Sequence, residues 1–244
     1  MIAGRSIGYR YRTGIACRNL DRNGERRAFT TFVALSSRSP GLGAALHEGP
    51  ELRAGGTLLE ITRHRPDIVV HALVLTGGGT ASEVEERNAF AALCGDAEVR
   101  LTVANLPDGQ LARYPEALTR RLAAFRRGCE PDLMIGPQCD DSQQDRRVVA
   151  EILRAEFCDH LILGYEILEW ESDLPHTTIY RPLPVETAIR KAEVFDECYP
   201  SKPGPDRFDG EAFTALMRLR GAQCQTHYAE GFLVDTDIVD IGAA

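Results

Sequence analysis

The chain has 244 residues, of which 43% are hydrophobic and 26% charged, and a formal net charge of −8. That length can bury a full core in one large domain. The acidic balance leaves no basic stripe for nucleic acid, and no apolar run reaches the roughly 20 residues that span a bilayer. Seven cysteines (Cys17, Cys94, Cys129, Cys139, Cys158, Cys198 and Cys224) are odd in number and never spaced Cys-x-x-Cys. This argues against a zinc ribbon or disulfide scaffold and for small core residues in a reducing cytoplasm. The first thirty residues lack the apolar h-region of a secretory leader, so a cytoplasmic location is the expectation.

Residues 1–28 are expected to form an arginine-rich extension, with a hairpin turn at Asn23-Gly24, where Asn-Gly tolerates positive φ. Residues 29–244 then read as a single α/β domain. Phe29–Leu35 is the first core strand, and Ser36–Pro50 a long glycine- and proline-broken loop of the kind that often carries function. A helix follows over Glu51–His64, with Leu52, Leu58, Leu59 and Ile61 as its buried residues. Asp67–Leu75 is a near-continuous apolar run, as in a strand covered on both faces. Thr76–Gly79 ends it, and Ser82 with Glu85 reads as a capping box for a helix to Cys94.

Val99–Val103 is the third strand, closed by Asn105-Leu-Pro-Asp-Gly109, and Leu118–Arg127 an amphipathic helix. Leu133–Ile135 is the fourth strand and Val148–Phe157 the next helix. His160–Gly164 and Thr177–Tyr180 read as further strands. Helices at Val185–Glu197 and Gly210–Arg220 precede a terminal strand at Tyr228–Val234. Such alternation implies right-handed βαβ units and a three-layer, Rossmann-like, mostly parallel sheet.

Between the fourth strand and its helix lies Pro137-Gln-Cys-Asp-Asp-Ser-Gln-Gln-Asp-Arg-Arg147, at a strand's carboxyl end, where open α/β sheets bind ligands. Asp140 and Asp141 suit either a hard oxygen site or general-base work, or the plainer role of capping the following helix. Thr76–Gly79 follows a strand but lacks both the Gly-x-Gly-x-x-Gly spacing and the Lys-Ser/Thr of a phosphate loop. It reads as a turn. None of His47, His64, His71, His160, His176 and His227 pairs at i, i+3 or i, i+4, so no local metal site shows. His71 reads as a strand residue and His64 as a helix end. His47, in the long loop, is the histidine with the best functional claim, followed by His227. No Gly-x-Ser-x-Gly elbow is present.

Several landmarks fall in an order that resembles the PIG-L/LmbE family of zinc-dependent N-deacetylases, from about Phe29 to Val234. They are Ala54-Gly-Gly-Thr-Leu58, Val74-Leu-Thr-Gly77, Asn105-Leu-Pro-Asp-Gly109, Glu130-Pro-Asp-Leu133, Lys191 with Tyr199-Pro-Ser201, Arg220-Gly221 and Tyr228-Ala-Glu-Gly-Phe232. The resemblance implies that family's fold and a pocket with two motifs. One is His-Pro-Asp-Asp-Glu after the first strand, supplying two zinc ligands and the general base. The other is Asp-x-His-x-Asp-His after the fourth strand, supplying the third ligand and a histidine that polarises the substrate carbonyl. A zinc-held water and a carboxylate that takes its proton make up that chemistry.

Here the second motif aligns as Asp141-Ser-Gln143-Gln-Asp145-Arg146. Gln143 stands in place of the polarising histidine and Arg146 in place of the zinc ligand. A guanidinium does not give up its proton to ligate, and its charge repels a cation. For the first motif two registers stay open. Anchored on the strand end, Arg38 takes the histidine's place and Gly41 or Leu42 those of the aspartates. Anchored on Gly55-Gly56-Thr57, His47 takes the histidine's place and Gly49 and Pro50 those of the aspartates.

The expected function is therefore a deacetylase-fold protein without the zinc triad. It would bind a sugar-like or anionic small molecule, or run metal-independent chemistry, with a place in a biosynthetic pathway. Arg38, His47, Asn105, Asp108, Asp140, Gln143, Arg146 and His227 are the candidate ligand-binding residues. Asp141, Asp145 and His47 are the candidates for catalysis, and no metal or other cofactor is expected. Two alternatives stand beside it. One is an active hydrolase whose metal site is rebuilt from His47, Glu48, Glu51, Asp140 or Asp141 and His227. The other is a non-catalytic partner subunit, or a homo-oligomer, using the arginine-rich extension and polar tail.

Overall fold

Six helices and seven strands build the described part of the chain. This is a computed structural model, and it describes residues 53–65, 67–129, 131–167, 174–199 and 210–234, together with the backbone of 32–34. The expected extension and its Asn23-Gly24 turn, the Ser36–Pro50 loop, and with them Arg38 and His47, lie outside the described residues.

In chain order the elements are β1 (Phe32–Ala34), α1 (Gly55–His64), β2 (Val69–Val74), α2 (Ala81–Cys94), β3 (Glu98–Val103), α3 (Pro115–Arg127), β4 (Met134–Gly136), α4 (Gln144–Glu156), β5 (Ile162–Tyr165), β6 (Ile179–Leu183), α5 (Val185–Cys198), α6 (Gly210–Gln223) and β7 (Tyr228–Leu233). A short 3-10 turn at Leu111–Arg113 precedes α3. β1, β2 and β3 pair in parallel, as do β4 and β5, whereas β7 runs antiparallel to both β5 and β6. β1 lies against β4. The strand order thus reverses between β1 and β4, and ligands of open α/β sheets sit at the carboxyl side of such a switch.

The alternating side chains of the strands divide the core into two layers. Val70 and Ala72 of β2 and Ile135 of β4 pack under α1, α2, α5 and α6 with Leu58, Phe90, Val194 and Phe213. Leu73, Leu75 and Met134 face the other way, against Leu118 and Leu122 of α3 and Val149 and Leu153 of α4. This is the three-layer arrangement the alternation implies, with an antiparallel extension at one side that the alternation did not indicate. Among the described residues no helix is long and apolar enough to cross a membrane.

The starts of α2, α3 and α4 differ from the sequence expectation, each for a local reason. α3 begins at Pro115 because proline's fixed φ suits the first helical position and its missing N–H is not needed there. α2 is capped by Thr80 rather than Ser82: Thr80 Oγ1 accepts from Ser82 N at 3.2 Å, and Glu83 accepts from Gly79 N at 2.8 Å. The expected Ser82–Glu85 capping box does not form: Thr80 is the cap, Glu83 binds the amide before it, and Glu85 is buried instead. α4 begins at Gln144, four residues before the apolar periodicity, for a reason given with the site.

On α1 the buried face is Gly56, Thr57, Leu58, Glu60 and Thr62, while Leu59 and Ile61 are only partly covered. No side chain of α1's own N-cap satisfies its first amides. Glu230 of β7 does so instead. Its carboxylate accepts from Gly56 N at 2.8 Å, Thr57 N at 2.7 Å and Thr57 Oγ1 at 2.5 Å. Lys191 of α5 adds an ion pair at 2.8 Å and also donates to Arg53 O at 3.1 Å. Gly56 is required at this junction, since a Cβ there would run into Leu183 and Glu230.

Two outcomes follow. Glu230→Ala leaves a buried ammonium and the α1 amides unmatched, and should cost about 3–5 kcal/mol in a urea midpoint measurement. Burial, and then Arg100 beside it, hold the His71 imidazole below its usual pKa of 6.5. The unfolded chain therefore binds more protons below that pH, and stability falls as pH drops from about 6.5, by at most roughly 1.4 kcal/mol per pH unit. His71→Leu should flatten that part of the urea-midpoint profile.

Candidate functional site

Pro137–Arg147 does sit at the carboxyl end of a strand, between β4 and α4. Gly136 and Gly164 allow the close approach that positions it. A Cβ on Gly136 would strike Leu153 of α4, and one on Gly164 would lie 3.0 Å from Gln138 Cβ. Gln138 Oε1 then accepts from Asp140 N at 2.6 Å, tightening the turn.

Asp141 organises the next step. Its Oδ1 accepts from Gln143 N at 2.8 Å, a side-chain turn that sets Gln143 as the helix N-cap. The same oxygen accepts from Arg146 Nε at 2.8 Å. Arg147 donates to Asp141 O at 2.7 Å and to Ser142 O. Helix α4 therefore starts where Asp141 folds the chain, and not where apolar residues begin. Acidic Asp145 in its first turn complements the helix dipole.

Arg146 is 1% exposed and Asp141 4% exposed, so the two form an internal ion pair. Arg146 was expected to present its guanidinium to a ligand; it is turned inward and held by Asp141. Asp145 is buried too, with Oδ1 3.5 Å from Ala112 N and, among the described residues, no hydrogen-bond partner on Oδ2. It links α4 to the segment after β3. Gln143 is half-buried and Asp140 exposed on the same turn.

Asn105 is exposed and Asp108 half-buried in the segment after β3, whose turn closes with Gly109 at φ +69°. Thr76–Gly79 lies beside it: Gly78 N donates to Ala104 O at 2.9 Å, and Leu106 N to Leu75 O at 3.0 Å. The carboxyl edge thus brings Asn105, Asp108, Asp140, Asp141 and Gln143 onto neighbouring loops, with Asp145 and Arg146 in the first turn of α4. His227 is apart from them, exposed at the start of β7 with its ring edge-on to Tyr228 at 4.6 Å. His64 is at the end of α1 and His71 within β2.

A zinc ion does not suit this donor set. Among the described residues no group of three or more His, Cys, Asp or Glu side chains could hold a metal. The carboxylate nearest the expected third ligand is already bound to an arginine, whose fixed positive charge opposes a second cation.

The buried carboxylates that sequence reasoning missed include Glu230, Glu166 and Glu60. Glu230 is bound to Lys191 as described. Glu166, after β5, takes Arg220 through Nε at 2.8 Å and 2.9 Å and also through Nη2. Glu60 is bound to Thr187 at 2.5 Å. Burial pushes the Glu166 carboxyl up, against the lowering pull of Arg220. The signal for Glu230 was available: an acid between alanine and glycine in an otherwise apolar strand.

No protein-family model matches the chain, and no curated protein matches its sequence. Solved structures do match. The conserved protein TT1542 from Thermus thermophilus is 18% identical, with 89% of this chain covering 99% of that one at a TM-score of 0.65. The N,N'-diacetylchitobiose deacetylase from Pyrococcus horikoshii is 12% identical, covering 76% and 79% of the two chains, at 0.55. The A40926 pseudoaglycone deacetylase Dbv21 is 14% identical, covering 88% and 99%, at 0.53. The resemblance read from the landmarks holds at the level of architecture: this is the fold of the PIG-L/LmbE deacetylases.

Removing one member of a buried pair strands the other. Arg146→Met should therefore cost about 3–5 kcal/mol in urea unfolding. Asp141→Asn keeps the acceptor for Gln143 N, so the double variant should recover much of that loss. Strictly additive losses in the cycle would mean that the two side chains are not coupled.

Proposed function

We propose that this chain, built on the deacetylase fold, is a homologue without catalytic zinc that binds a sugar-like small molecule at the carboxyl edge of β1 and β4. The observation that carries the reading is the buried Asp141–Arg146 pair, which takes the place of a third zinc ligand with a charge-neutral internal contact. Asp141 neutralises Arg146, and the described part of the edge presents Asn105, Gln143 and Asp140. Such groups suit hydroxyls and amides better than a phosphate or carboxylate. The fold neighbours named for N,N'-diacetylchitobiose and for an antibiotic pseudoaglycone support a glycan-like ligand class.

Any chemistry retained at this edge is metal-independent. Asp145, with one carboxylate oxygen free of hydrogen bonds among the described residues, is the residue to which we assign a proton-accepting role in it. The reading opposes a rebuilt metal site. Of the residues such a site would draw on, Asp141 is committed to Arg146, and His227 stands exposed against Tyr228.

The test is elemental analysis of the purified full chain, with melting followed before and after chelator treatment. Metal bound to the folded state alone would raise the melting temperature by mass action. Substoichiometric zinc and an unchanged melting temperature are expected. Zinc equimolar with the chain, lost together with stability on chelation, would overturn the reading.

A further inference from the structure

A second cavity lies at the opposite edge of the sheet, where α1 and α2 end and β2 and β3 begin. It has a volume of about 640 Å³, within the usual range for small-ligand sites. The last turns of α1 and α2 and the start of α5 line it, it opens broadly to solvent, and no residue of the carboxyl-edge site takes part.

Glu60 lines this cavity although it is only 4% exposed. Its Oε1 accepts from Thr187 Oγ1 at 2.5 Å, and among the described residues no donor lies within hydrogen-bond distance of Oε2. Its counter-charges are weak. Arg63 Nη1 is 3.9 Å from Oε1 and its side chain is mostly exposed; His64 Nδ1 is 3.8 Å from Oε2 and is bonded to Glu60 O instead. The buried carboxylates of Glu230, Glu166 and Asp141 each have a cation within hydrogen-bond distance, from Lys191, Arg220 and Arg146 respectively. Glu60 differs from them in that its two ion pairs, with Arg63 and His64, are longer than a hydrogen bond and it borders open volume. A cation supplied from outside that reaches hydrogen-bond distance of Oε2 would bind it more strongly than either.

The rest of the lining restricts what that cation is. Asp96 and Glu186 add two exposed carboxylates, and the C-termini of α1 and α2 bring two negative dipole ends against the one positive end of α5. Arg190, the other arginine on the wall, is bound to Glu193 and Glu197 at 3.0–3.1 Å and offers nothing to an anion. The remaining wall, Leu59, Ala92 and Leu93, is apolar and suits methylenes. Carboxylates separated by hydrocarbon match ammonium groups separated by hydrocarbon. We propose that this cavity is a binding site for a linear aliphatic polyamine, with one ammonium group held by Glu60.

Calorimetric titration of the full chain with spermidine tests the proposal. The expected result is saturable binding that weakens by at least about tenfold in Glu60→Gln, since a hydrogen bond to a charged group is lost. Binding should stay unchanged in Glu151→Gln, which removes the same charge from an exposed site on α4. Arg63→Ala, at an exposed position that competes for Glu60, should tighten binding several-fold, and it decides the matter if Glu60→Gln does not fold. Absence of saturable binding, equal affinity in Glu60→Gln, equal displacement by magnesium, or no tightening in Arg63→Ala would each overturn it.

Discussion

A carboxylate removed from water must be matched by charge and by hydrogen bonds, and Glu230 is matched by two separate helices. It sits in β7, takes the first amides and a hydroxyl of α1, and holds the ammonium of α5. The helix that lacks a cap of its own is capped across the fold, by a residue more than 170 positions away in sequence. Glycine at position 56 is what lets the carboxylate come so close. The junction clamps α1, α5 and β7 to one another, and α1 in turn leads into β2.

The same physics, applied at β4, yields a different outcome. Asp141 folds the turn that starts α4 and takes the guanidinium of Arg146 inside the protein. A metal site needs donors that can give up protons and converge on an open point. An arginine bound to an aspartate does neither. Glu230, Lys191 and Gly56 hold the scaffold through residues other than Asp141 and Arg146. A fold does not by itself fix the chemistry carried on it.

Much of the architecture was legible because it rests on local periodicity. The apolar run of β2 reported a strand covered on both faces, and the landmark order placed Gly56, Lys191 and Glu230 in one fold before their contact was visible. Three things were not legible. The antiparallel direction of β7 depends on pairing with β5 and β6, which no local pattern encodes. The start of α4 is set by the Asp141 side chain and precedes the apolar repeat. The inward turn of Arg146 depends on a partner five residues away, whereas composition alone suggested an open cation. On α1, the apolar Leu59 and Ile61 drew attention from Glu60, which is buried because Thr187 of α5 meets it. Arg38 and His47, both expected at the site, fall outside the described residues.

The central claim is that Arg146 occupies, with Asp141, the place a zinc ligand would take. Anomalous diffraction at the zinc edge, from crystals grown with added zinc, tests it most directly. The account predicts no zinc peak at the carboxyl end of β4, with Arg146 Nε still within hydrogen-bond distance of Asp141. A zinc peak there, with Asp141 swung from the arginine onto the metal, would contradict it.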